Sequence, residues 1–187
     1  MKIMTYKKIC MLFFICFYIN SNEISFYSAK YSFQSDDFSV TGVREFLSDE
    51  NGYELKFNAS NFIATLNFSS KFDLKNEEVI SKNYNINIKP KFLDRDQSVT
   101  FNNEPKTISS VGRNIWTSNT ENSTNVLDPL NAQIMIRSNI SKGMASFELD
   151  IIDMQKGGYE KYLFNLIATE KCEYDDEEYQ CHIIERT

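Results

Sequence analysis

Glycine and proline are scarce in this 187-residue chain, at six and three, and histidine and tryptophan occur once each. Each shortage removes a class of function. A zinc centre at Cys172 and Cys181 would need two further ligands, and the chain offers a single histidine. That residue, His182, follows Cys181 directly. Adjacent strand residues point to opposite faces, so the two do not make a nucleophile and its base. There is no Gly-x-Ser-x-Gly elbow and no glycine loop to cradle a phosphate. Basic residues are outnumbered, 20 against 26 acids, for a formal charge of −6. Such a chain is repelled by phosphate backbones, which argues against nucleic acid as a partner.

What is present begins with an export signal. Lys2, Lys7 and Lys8 precede an apolar run from Ile9 to Ile19, and Asn20 and Ser21 follow. This is the order of a secretory signal peptide, with cleavage expected after Ser21. The run is shorter than the roughly 17–25 residues that span a bilayer, so no stable transmembrane span is expected once it is removed. An uncleaved membrane anchor is the alternative. Removing residues 1–21 takes away three lysines and no acid, moving the charge from −6 to −9. Cys10 and Cys16 leave with it, and only Cys172 and Cys181 remain. Residues 22–187 fit one domain, long enough to bury a core without depending on disulfides.

Aromatics are plentiful, with 15 Phe and 10 Tyr, as suits a packed sheet. Most segments alternate as half-buried strands do. Tyr27, Ala29, Tyr31 and Phe33 share a face. Phe38 and Val40 lie opposite Thr41 and Val43, before a turn at Asn51-Gly52. Tyr53, Leu55, Phe57 and Ala59 then point inward, and Phe62, Ala64, Leu66 and Phe68 continue after a turn around 58–61. Tyr84, Ile86 and Ile88 form a strand that Pro90 confines to an end or edge. Ser98–Asn102 is a short strand, and one more ends near Trp116. The period changes at "DPLNAQIMIRSNISKG". Asp128 is the expected N-cap, Pro129 the first helical residue and Gly143 the terminator, with Leu130, Ile134 and Met135 facing the sheet. Strands resume at "ASFELDIID" and run through "YEKYLFNLIAT" to "YQCHIIER".

The two remaining cysteines flank an acidic stretch, "CEYDDEEYQC". Placing Cys172 opposite Cys181 sets Glu170 against Ile183 and Ala168 against Glu185, with Asp175 to Glu178 as the tip and His182 facing Lys171. Phe164, Leu166, Ala168 and Cys172 then share a mostly apolar face with Cys181 and Ile183. A disulfide across a hairpin is the favoured reading for an exported chain. Eight intervening residues do not suit a redox pair, and the acids lack the alternating ligands and central Gly of a calcium loop. Other carboxylates, Asp94 and Asp96 or Asp150 and Asp153, are read as solvated surface. Arg137 is expected to pair with a buried acid, and Trp116 to sit in the core or at the lip of a pocket.

"DPLNAQIMIR", Gly143, "ELDIID" and a Tyr/Phe-rich strand resemble the middle of the domain of unknown function 3108 family of bacterial exported proteins. Asp128, Leu130 and Arg137 match its pattern, and Asn131 stands where the family has serine. "INIKPKF" and "SVTFN" are similar to its Pro-containing strand and its later Val-x-Phe strand. The resemblance covers roughly Ile24 to the end and brings no catalytic residues. Family members usually run on into a further hairpin, so it implies a shortened member, or a truncated gene product whose last sheet edge is uncovered.

The expected fold is mainly β: a single curved antiparallel sheet, half-barrel-like, with one short helix on its concave side. Such a sheet is similar in outline to lipoprotein-carrier half-barrels, a likeness of fold alone. The expected function is non-enzymatic and without cofactor or metal, in the bacterial periplasm or envelope. The sheet's concave face would hold a lipid or other hydrophobic ligand, with Tyr31, Phe33, Phe57, Phe68 and Phe164 as candidates. The alternative is a structural or interaction module that meets an envelope protein through an exposed sheet edge.

Overall fold

The computed structural model describes residues 25–34, 39–61, 64–89, 96–174 and 176–187. The leader with its lysines and Cys10 and Cys16 lies outside the described residues, as do Phe38, Phe62, Pro90, Asp94 and Asp175. Of Phe33 only the backbone is described.

The fold is mainly β with one short helix. Eight strands run as an antiparallel meander: β1 (Tyr27–Gln34), β2 (Ser39–Asp49), β3 (Gly52–Ser60), β4 (Thr65–Lys75), β5 (Glu78–Lys89), β6 (Gln97–Asn103), β7 (Lys106–Gly112) and β8 (Trp116–Asn119). The sheet stays open, with β1 and β8 at its edges. Local chemistry makes its turns. Asp49 Oδ1 accepts the Asn51 amide at 2.7 Å, and Gly52 takes a φ of 123°. Asn76 and Glu77, both at positive φ, close the β4–β5 hairpin in two residues.

The remaining strands are divided from this sheet. β9 (Val126–Leu127), β10 (Ser146–Ile152), β11 (Tyr159–Tyr174) and β12 (Glu177–Arg186) form a second sheet in the order β12-β11-β10-β9. β9 pairs with β10 in parallel, and a parallel pair needs a crossover. The helix α1 (Asn131–Ser141) supplies it. Its end is as the sequence suggests. Gly143, at φ 79°, donates to Ile140 O and Met144 to Asn139 O, a Schellman closure.

Both sheets and the helix share one core. Phe46, Leu55, Phe72 and Val79 of the large sheet, Ile134 of α1, and Phe147 and Phe164 of the small sheet belong to it. Trp116 fills the seam where β8 meets the β10–β11 turn. A Cβ on Gly157 would come within 2.8 Å of its indole ring.

The terminal hairpin departs from its expected register. Cys172 lies opposite Tyr179, Glu170 opposite Cys181, and Ala168 opposite Ile183. The cause is the turn: Tyr174 pairs with Glu177, leaving a two-residue loop and fixing every pair below it. The cysteines are therefore diagonal neighbours on one face, with Cα atoms 5.9 Å apart, and they are joined as a disulfide. His182 faces Thr169 rather than Lys171, its Nδ1 lying 3.0 Å from Thr169 Oγ1. A bulge at Ile167 then reverses the faces, so Ile184 packs toward the core and Ile183 is exposed.

Candidate functional site

The start of α1 is held by a buried polar cluster. Asp128 is fully buried. Its Oδ1 accepts the amides of Leu130 (2.8 Å) and Asn131 (2.9 Å), and its Oδ2 accepts Ser70 Oγ of β4 at 2.6 Å. Asn131 reciprocates: its Oδ1 accepts the Asp128 amide at 2.9 Å, while its Nδ2 donates to Ser81 Oγ of β5 at 2.9 Å. Asp128 thus holds the amides at the helix entry, but the helix itself begins at Asn131 with Leu130 at its N-cap position, so Asp128 is not the N-cap and Pro129 not the first helical residue. Asn131 bridges to the large sheet. Burial pushes the Asp128 carboxyl up to about 7, against the lowering effect of its donors. Burial, then the nearby Asp128 charge, raises the Tyr84 hydroxyl above its ordinary value. Both carboxylate oxygens are committed to protein donors, and Asp128 is sealed from solvent.

Among the described residues Arg137 pairs with no buried acid. It is exposed, and its guanidinium lies over the Tyr27 ring at 4.9 Å. The helix turns this position outward, away from Ile134 and Ser138. Three carboxylates read as solvated surface instead organise local structure. Asp96 accepts the Ile88 amide and Asn87 Nδ2. Asp150 accepts Ser123 Oγ. Asp153 accepts the amides of Gln155 and Lys156, which, led by the Lys156 contact, hold its carboxyl below the usual range. No three His, Cys, Asp or Glu converge as a metal site among the described residues.

The aromatic candidates separate into two places. Tyr31, Phe57 and Phe68 come together on the inner face of β1–β4. Phe57 lies opposite Phe68, with ring centroids 6.0 Å apart, and Leu66 and Ile86 extend the patch across β4 and β5. Gly42 makes room for it: a Cβ there would stand 2.6 Å from the Phe57 ring. Toward the helix this face is sealed by Phe46, Leu55 and Phe72, all at 0% exposure, but Phe68, Leu66, Ile86 and Ile88 are only half-buried. The β1 backbone places Phe33 opposite Val40 at the same end of the sheet.

Phe164 lies elsewhere. It lines a cleft of about 550 Å³ between α1 and the small sheet, with Ala132, Ile136, Ile151, Met154 and Arg186. Lys156 at this cleft is bound to Asp153 and Glu160, and the exposed Arg186 stacks over Tyr162.

One residue of the inner face escaped the sequence reading. Arg44 of β2 lies between Gly42 and Phe46, opposite Ala29 and Phe57. Its guanidinium is 4.6 Å from the Tyr31 ring centroid and 5.9 Å from that of Phe57, and Nη1 donates to the Tyr31 hydroxyl at 3.3 Å. Its Nε is buried with no acceptor among the described residues. The signal was present, since alternation puts Arg44 in phase with Val40 and Phe46.

These features define an open antiparallel β protein whose helix-crossover second sheet covers part of one face and leaves an aromatic strip beside a cation. No family model, curated protein or solved structure matches the chain. No helix among the described residues is long and apolar enough to cross a membrane.

Proposed function

We propose that this is a non-enzymatic exported protein of the bacterial envelope that holds a lipid or other hydrophobic ligand on the inner face of its large sheet. The half-buried strip of Phe68, Leu66, Ile86 and Ile88, beside the buried Phe57, carries the reading, because the same face is fully sealed only toward α1. Apolar surface left at the margin of a core is where a hydrophobic ligand gains most. The leader-like N-terminus and the resemblance to the domain of unknown function 3108 family support export. Native mass spectrometry of the full chain, recovered without detergent from an exporting host, tests this. A discrete added mass lost on organic extraction is expected; a bare mass under all such preparations contradicts it.

A second reading, an interaction module, is favoured by the terminal hairpin. Beyond Leu166, β11 pairs only with β12, the outer strand of the small sheet, and Ile167, Tyr179 and Ile183 are exposed. Cross-linking of envelope proteins to this ribbon, with no lipid on the chain, would favour it over the first.

A further inference from the structure

We infer that the ligand of the inner face is an anionic single-chain amphiphile, a fatty-acid carboxylate, with Arg44 as its headgroup anchor. The inference rests on the lipid-binding reading above and specifies its chemistry. A cation needs a reason to sit on an apolar face. Among the described residues Arg44 has no carboxylate beside it: its cross-strand neighbours on that face are Ala29 and Phe57, and no ion pair joins it to any of them. Stacking on Tyr31 and Phe57 stabilises it in part. It does not satisfy Nε, and a buried donor without an acceptor is costly.

A carboxylate supplies the missing pieces together. The guanidinium presents its donors as a planar fork that matches two carboxylate oxygens. With Nη1 turned to Tyr31, Nε is the donor that a ligand carboxylate would satisfy. The tail then lies along Phe57, Phe68, Leu66 and Ile86, which follow one another across β3, β4 and β5 from the arginine. A monoanion matches the one cation among the described residues of this face. A headgroup of higher charge would meet an uncompensated excess in a chain whose net charge is already −6. The cleft at Phe164 lacks this combination. Arg186 is exposed, so water already satisfies it, and Lys156 is held by Asp153 and Glu160.

Equilibrium dialysis of the full chain with laurate and with dodecanol, tails alike and headgroups different, tests the inference. Laurate is expected to bind about tenfold or more tightly than dodecanol, the scale of a charge-assisted hydrogen bond in a partly desolvated site. Arg44→Met should bring laurate down to dodecanol and leave dodecanol unchanged. Arg44→Lys, which keeps the charge without the fork, should fall between, and it decides the matter if the methionine variant does not fold. Equal binding of the two in the wild type, or an undiminished preference in the variants, overturns the role of Arg44 while leaving the lipid site standing. Binding of neither overturns the lipid reading itself.

Discussion

The buried Asp128 makes the stability of the fold depend on pH in a direction opposite to that of an ordinary paired carboxylate. Its carboxyl is raised from 3.8 to about 7 in the folded chain, chiefly by burial. The folded state therefore holds a proton that the unfolded state has lost between those two values. The stabilisation is fully present below about pH 4 and is lost as pH rises toward 7. The slope is about 1.4 kcal/mol per pH unit, or at most about 4 kcal/mol over the window. Asp128→Asn removes the titration and keeps the shape. The amide oxygen can accept from Leu130 and Asn131, and its NH₂ can donate to Ser70 Oγ. Urea unfolding at half-unit steps from pH 4.5 to 7.5 gives the comparison. The wild type should lose stability with rising pH relative to the variant and level off above 7. Asp153, whose carboxyl is held low, contributes with the opposite sign and below this window, and it is common to both proteins. Parallel curves across the range would refute the reasoning, because they would mean that Asp128 is ionised in the fold without penalty.

Other outcomes follow from the same contacts. Ser70→Ala should cost about 1–3 kcal/mol by leaving Asp128 Oδ2 without its donor, read in the same urea titration. Phe46→Ala, at a fully buried site stacked on Phe72, should cost about 3–5 kcal/mol in thermal or urea unfolding. Replacing both Cys172 and Cys181 with serine should lower amide protection in residues 168–183 by roughly 30- to 150-fold, equivalent to about 2–3 kcal/mol of loop constraint. Core amides of β3 and β4 should be unaffected, because the ribbon projects beyond β10. Gly42→Ala should displace the Phe57 ring, lowering lipid uptake while leaving the secondary structure intact by circular dichroism.

Much of this architecture was legible because half-buried strands write their burial as alternation. Tyr53, Leu55, Phe57 and Ala59 point inward as read, and Asp128 and Gly143 bracket the helix. The division into two sheets was not legible. The strand that demands the helix crossover, β9, is only Val126–Leu127, too short to carry a period. Bulges hid the rest. An extra residue in β5 at Lys82 lets Ser81 and Tyr84, three apart, face the same way, and the bulge at Ile167 exchanges Ile183 for Ile184. The Ser70 and Ser81 partners of the helix start lie 58 and 50 residues from Asp128 and Asn131, beyond the reach of local pattern. Of the five aromatic candidates, Tyr31, Phe57 and Phe68 meet on one face because they lie on adjacent strands in phase, whereas Phe164 belongs to the other sheet. Arg44 was overlooked because a charged residue between apolar ones reads as a solvent-facing position unless its phase is followed.

The most direct test of a ligand-bearing inner face is location. A fatty acid with a photoreactive diazirine in its tail, irradiated with the full chain and mapped by peptide mass spectrometry, reports where the tail lies. Labelling concentrated in β3 to β5, around Phe57, Phe68 and Ile86, and suppressed by excess laurate, is the expected result. Labelling confined to the Phe164 cleft or the β11–β12 ribbon, or spread without competition, would contradict the account.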